Sequence, residues 1–229
     1  MGILADALVI GIGCITGSRF KNLKVGYYTI GIAVMILSLV SFLENMYNIE
    51  GQRLSTDNLI IVLLAFIAGS KIGELLHIEE KLSTFGKSDN QSLNAFIDAS
   101  LFFAIGGMQI SGSITLALNH DNSQLYIKSL IDAPFALVFG STYGKITALS
   151  AIPIALLQVM IVGVTFASSS FFDPSLTQQI CAMGYIILFF SGFNLLSSGN
   201  TKISNINMLP GLILIILFHI IRRLAGGLL

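Results

Sequence analysis

Residues 58–76 read NLIIVLLAFIAGSKIGELL, and from Leu59 to Gly69 the stretch carries no charged or hydrogen-bonding side chain. A bilayer core ~30 Å thick is spanned by about 20 mainly apolar residues in helix, because lipid offers no partner to irregular backbone. The stretch therefore predicts a membrane-spanning helix. Read outward from it, the chain holds eight such segments, at 3–19, 26–43, 58–76, 95–118, 125–144, 146–168, 177–196 and 206–222. The fold class expected is all-α, a polytopic integral membrane helical bundle, with residues 1–229 forming a single membrane domain. The fifth segment, LYIKSLIDAPFALVFGSTYG, is the weakest, since it holds Lys128, Asp132 and Pro134. If it is broken or re-entrant, the spans number seven.

Composition points the same way. Hydrophobic residues are 54% of the 229 and charged residues 10%, with a mean hydropathy of +0.84. A soluble domain carries roughly a quarter charged residues, so lipid is the expected solvent for most of these side chains and the bilayer is the first partner. The net charge of zero offers no basic surface for nucleic acid. Cys14 and Cys181 sit in apolar runs and read as packed thiols; His77, His120 and His219 are scattered singly, so no disulfide framework and no metal ligand set is expected. The first apolar run lacks a cationic lead-in and a small-residue cleavage site, so residues 3–19 read as a retained span. Between spans, 44–57 reads as a polar loop and 77–94 as an amphipathic surface turn followed by a loop, with Glu79, Glu80 and Lys81 on a solvated face.

Ionisable side chains within spans are costly and are functional candidates. Asp132 is the deepest, two residues before Pro134. Proline frees the carbonyl one turn back, here that of Leu130, and a carboxylate beside a freed carbonyl resembles the cation sites of broken transporter helices. Lys128, four residues earlier on the same face, offers the alternative of an internal ion pair. Asp98, with Asn94 one turn before it, can lie at the positive start of the fourth helix, and Asp6 at that of the first. The run Gly106-Gly107-Met108-Gln109-Ile110-Ser111-Gly112-Ser113 is too small and polar to face lipid, so Gln109 lines protein or a cavity. Ser141 and Thr142, with Tyr143, are candidates for the opposite wall. Asn194, Asn205 and Asn207 bracket the turn into the last helix and can bind solute or join helices, at about 0.6 kcal/mol per interhelical contact. No hydrolase, nucleotide-binding, zinc or paired-carboxylate motif is present, so neither enzyme activity nor a catalytic residue or cofactor is expected.

The chain resembles the bacterial YdfK/YqgA-type domain-of-unknown-function family of multi-pass membrane proteins over nearly its whole length. The resemblance is carried by Ala5-Asp6-Ala7-Leu8 through Gly17, by Ile67 through Leu76 with Ile78-Glu79, and by Ala99 through Phe103. It continues in Lys128 through Asp132, Ser141 through Gly144, Ser150 through Pro153 and Asn205 through Pro210. It implies a bacterial plasma (inner) membrane protein, suggested to be a transporter, with no assigned substrate. Asp6, Asp98 and Ala133 depart from the family's usual Asn, uncharged residue and Gly; Lys128 and Asp132 fit its pattern.

Two functions fit these readings. One is a small secondary transporter or channel for a small solute or ion, with its polar centre on the fourth and fifth helices. The other is a non-transporting scaffold or assembly protein held by small-xxx-small faces, which also make a homodimer plausible.

Orientation follows from cations. With eight spans, Arg19, Lys21, Lys24, Lys71, Lys81, Lys87, Lys145 and Lys202 share one side, and Arg53, Lys128, Arg222 and Arg223 the other, a split of 8 against 4 that survives a re-entrant fifth segment. Gly13-x-x-x-Gly17, Ala65-x-x-x-Gly69 and Gly140-x-x-x-Gly144 each precede a cation within one or two residues, as suits the cytoplasmic end of a helix. Both termini are therefore expected outside. A C-terminal reporter that works only in the cytoplasm should stay silent; activity would reverse the assignment.

Overall fold

Along the first helix, α1 (Gly2–Gly17), the buried positions are Gly2, Asp6, Ile10, Cys14 and Gly17, while Leu4, Leu8, Ile12 and Ile15 are exposed. Spacings of three and four place each set on one face. A soluble helix would hide those leucines and show the carboxylate. The inversion recurs in α8 (Ala151–Ala167), where Ile152, Leu156, Val159 and Val164 face out and Gln158 and Thr165 face in. Lipid as solvent accounts for both, because it accepts leucine and leaves a carboxylate or amide to find its partners inside the protein.

The computed structural model describes residues 1–20, 27–48, 53–54, 56–84, 90–104, 107–197 and 203–226. Lys21, Lys24, Lys87, Gly106 and Lys202, used in the reading above, lie outside the described residues. The remaining helices are α2 (Tyr27–Met46), α3 (Thr56–Leu75), α4 (Ile78–Thr84), α5 (Gln91–Ala104), α6 (Gly107–Asn119), α7 (Ser123–Tyr143), α9 (Pro174–Leu196) and α10 (Pro210–Gly226). The expected polar loop after α2 contains a two-residue antiparallel pair, Tyr47–Asn48 with Arg53–Leu54. The expected surface turn is α4, with Glu79, Glu80 and Lys81 exposed.

Among the described residues five helices are long and apolar enough to cross a membrane: Tyr28–Met46, Asn58–Leu75, Lys145–Ala167, Pro174–Asn194 and Ile206–Arg223. The pair α5 and α6 makes a sixth if taken together, although the two are bent by 56°. At 16 residues α1 is short for a span; α7 has the length, 21 residues, but carries charge. The bend thus lies in the fourth segment, between α5 and α6. The fifth segment is one continuous helix through Pro134, a residue that membrane helices tolerate when neighbours satisfy the freed backbone.

The chain divides into two compact units, Met1–Tyr27 with Ser83–Ser169 and Tyr28–Leu82 with Ser170–Leu229. In the first, α1 and α7 run parallel with backbones touching. A Cβ on Gly13 would stand 2.6 Å from the Ala136 methyl, one on Gly17 would overlap the Leu137 carbonyl, and one on Gly140 that of Cys14. Gly13 and Gly17 of the first segment's pattern and Gly140 of the fifth's therefore lie in the α1–α7 contact, while a Cβ on Gly144 would meet nothing within 4 Å. Helix α8 runs against α1, with Gly11 near Ala151 and Gln158 bonded to Asp6. Helices α5 and α6 run against α7, pairing Phe103 with Phe139 and Gly112 with Leu125. A core of Ile10, Cys14, Ala99, Phe103, Ala136 and Ile154 joins α1, α5, α7 and α8.

In the second unit α3 and α10 are antiparallel, with Gly73 on the Asn207 backbone and Gly69 on Gly211. Helix α9 runs parallel to α3, from the Asn58–Gln179 hydrogen bond to the stacked rings of Phe66 and Phe190. It runs against α2, placing Gly192 near the Gly31 carbonyl.

Gly17→Ala and Gly140→Ala should each cost about 1–3 kcal/mol by overpacking and lower the melting temperature in detergent. Gly163→Ala, where an added Cβ meets nothing within 4 Å, should leave it unchanged or slightly raised.

Candidate functional site

The glycine contact between α1 and α7 holds the preceding turns of the two helices side by side. Asn122 Oδ1 accepts the Gly2 N–H at 2.7 Å and so sets the register, since that N–H has no partner within its own helix. Beside it, Asp121 Oδ1 accepts the Ser123 hydroxyl at 2.6 Å and its N–H at 2.9 Å. Those two donors hold the exposed Asp121 carboxyl below the usual carboxylate range. From this start Asp6 faces Lys128 and Asp132.

Lys128 Nζ donates to Asp6 Oδ2 at 2.8 Å and also to Asp132 Oδ2. Relative exposures are 0% for Asp6, 3% for Lys128 and 8% for Asp132. At 1.5 Å per residue Lys128 and Asp132 lie roughly 8 and 14 Å along an α7 of about 31 Å. The cluster extends to two further helices through amides. Gln158 Nε2 of α8 donates to Asp6 Oδ2 at 2.7 Å and to Gln109 Oε1 at 3.1 Å. Gln109, the third residue of α6, donates in turn to the Ile154 carbonyl at 3.3 Å. Both amides are fully buried. One hydrogen-bonded chain thus runs Ile154–Gln109–Gln158–Asp6–Lys128–Asp132, ending the break between α5 and α6 on an ionic centre.

Two carboxylates and one ammonium carry a formal charge of −1. Among the described residues Asp6 Oδ1 and Gln158 Oε1 have no hydrogen-bond partner. An unbalanced buried charge costs several kcal/mol even after relaxation, and an unpaired buried acceptor about 1–3 kcal/mol. The centre is therefore built for a further positive or donating group.

Of the residues singled out from sequence, Asp132, Lys128 and Gln109 come together here. Ser141 and Thr142 lie more than two turns further along α7; Ser141 donates to the Val138 carbonyl at 3.3 Å and Thr142 is exposed. Asp98 is on the exposed face of α5. Asn194 belongs to the second unit, where it grips Ile203 by both backbone groups, at 2.6 and 2.8 Å, as helix-joining amides do. That unit also holds a cavity of about 480 Å³ lined by Phe171, Asp173, Gln179, His219 and Arg222 among others, with His219 Nε2 3.5 Å from Asp173 Oδ2.

Sequence reasoning missed two members of the cluster. Asp6 reads as a helix-start charge but is the central acceptor. Gln158 passes unnoticed, although a lone amide within AIPIALLQVMIVGVTFA has nothing to bond on a lipid-facing surface, and that is the signal that could have found it.

A family model described as "Protein of unknown function (DUF554)" matches residues 1–220. The chain is 25% identical over 217 residues, 93% of each chain, to "Uncharacterized membrane protein YdfK" of Bacillus subtilis. It is 24% identical over 170 residues to "Uncharacterized protein YqgA" of Escherichia coli, covering 69% of this chain and 72% of that one. No solved structure matches significantly.

Lys128→Met leaves two buried carboxylates without their ammonium and should destabilise the protein by about 3–5 kcal/mol. Asp98→Asn, at an exposed position, should change stability by less than about 0.5 kcal/mol. Unfolding of both variants in detergent measures the contrast.

Proposed function

This chain belongs to the DUF554 family of proteins of unknown function, and within it we propose a small secondary transporter or channel for a small solute or ion. It is a membrane protein, with five or six helices among the described residues long and apolar enough to cross a bilayer. The observation that carries the reading is the attachment of a buried ionic cluster to a broken helix. Discontinuous helices that end near mid-membrane, with backbone and side-chain polar groups converging there, are how secondary transporters build ion and substrate sites. Here the second half-helix, α6, reaches the Asp6–Lys128–Asp132 centre through Gln109 and Gln158.

Eight crossings accord with the helix directions inside each unit. Counting α5 with α6 as one leg, odd-numbered legs α1 and α7 are parallel, as are α3 and α9, and even-numbered legs oppose them. Continuous α7 supports eight over seven. Relatives in two bacteria support a bacterial plasma membrane location. The reading is non-enzymatic: the cluster has carboxylates, an ammonium and amides, but no nucleophile paired with a base. The scaffold alternative is weakened because Gly13, Gly17 and Gly140, and likewise Gly69, Gly73 and Gly211, are spent on packing within their own units.

The test is flux in proteoliposomes across a panel of monovalent ions and small metabolites. Asp132→Asn should abolish the flux carried by the wild type while leaving helical content and monodispersity intact. If the variant fails to fold, or the wild type carries nothing, the cluster is a structural clamp and the transport reading falls.

A further inference from the structure

We propose that the cluster binds one proton, carried on Asp6 Oδ1 and donated to Gln158 Oε1. The argument begins with charge. The helices that meet here hold few ionisable groups: Asp6 and Cys14 on α1, Lys128 and Asp132 with the terminal Tyr126 and Tyr143 on α7, and none on α6 or α8. From α5 the only charged residue is Asp98, and it is exposed; Lys145, at the far end of α7, is exposed as well. With both aspartates ionised, nothing on these elements offsets the residual charge of −1.

Hydrogen bonding locates the compensating group. Lys128 and Gln158 both donate to Asp6 Oδ2, so that oxygen is saturated. The unpartnered atoms are the other oxygen of the same carboxyl and the oxygen of the same amide. Both are acceptors, so two neighbouring groups each lack a donor. A carboxylic acid and a primary amide form a two-bond pair, N–H to O in one direction and O–H to O in the other. The first of those bonds is present at 2.7 Å. One proton on Oδ1 supplies the second, satisfies both atoms and takes the cluster from −1 to 0. A water molecule would supply donors but no charge. A transition-metal ion would supply charge, but among the described residues no group of three or more His, Cys, Asp or Glu is placed to hold one; sodium, which carbonyl oxygens can hold, is separated from the proton by the experiment below.

The proton comes from the aqueous phase and returns to it, with Asp6 alternating between carboxylate and acid and no other bond changed. Binding stands on the cluster alone. Its use as a coupling or transported ion rests on the transport reading above.

Infrared spectroscopy of the full chain in liposomes, with and without aspartate labelled at the side-chain carboxyl carbon with carbon-13, reads the proton directly. At neutral pH in potassium buffer the wild type should show one protonated-aspartate carbonyl band, shifted by the label and by deuterium exchange. Asp6→Asn should lose the band, and Gln158→Leu should shift it to higher frequency as its hydrogen bond is removed. The labelled wild type decides the matter even if a variant does not fold, because absence of the band overturns the proposal. So does a band that persists in Asp6→Asn, or a saturable sodium-induced stabilisation seen in place of the band. A band without flux in liposomes would defeat the transport reading alone; flux sensitive to Asp132→Asn without a band would defeat the proton alone.

Discussion

The direct contact of the α1 and α7 backbones is the constraint on which the polar centre depends. Helices separated by ordinary side chains sit 8–10 Å apart, and Gly13, Gly17 and Gly140 remove the side chains that would impose that distance. The contact brings residues 122 positions apart, Asp6 and Lys128, to 2.8 Å. With the backbones in contact, the side chains two to three turns earlier are buried between the helices, and the cluster's charges act on one another at hydrogen-bond distance.

Burial of this kind is a poor way to gain stability, since desolvation offsets most of the Coulombic return and apolar replacements often do as well. A chain composed mainly of leucine, isoleucine and alanine could have filled the same space. It places instead two acids, a base and two amides where lipid-exposed helices surround them. Polar groups kept at such cost within a membrane are the usual mark of an ion or solute pathway.

Much of this was legible from residues alone, and the failures are instructive. The runs 58–76 and 146–168 read as spans because hydropathy is a local property. Lys128 and Asp132 read as a pair because a spacing of four is local too. The role of Asp6 was not legible, because a carboxylate near a helix start has an ordinary local explanation and its partner lies 122 residues away. The fifth segment, weakest of the eight and open to being broken or re-entrant, is one continuous helix whose charges turn inward onto α1 and each other. The bend falls in the fourth segment, between α5 and α6, where small and polar residues point to a lining surface and give no local sign of a change in helix direction.

The interleaving of the units has a consequence in time. The first unit takes residues 1–27 and then waits for 83–169. At ribosomal speeds of about 5–20 residues per second, the 122 residues between Asp6 and Lys128 take roughly 6 to 25 s to synthesise. During that interval α1 has already left the ribosome while the helix carrying its counter-ion does not yet exist. The carboxylate of Asp6 thus precedes its ammonium partner by that interval, and the buried pair between α1 and α7 closes only after α7 is made.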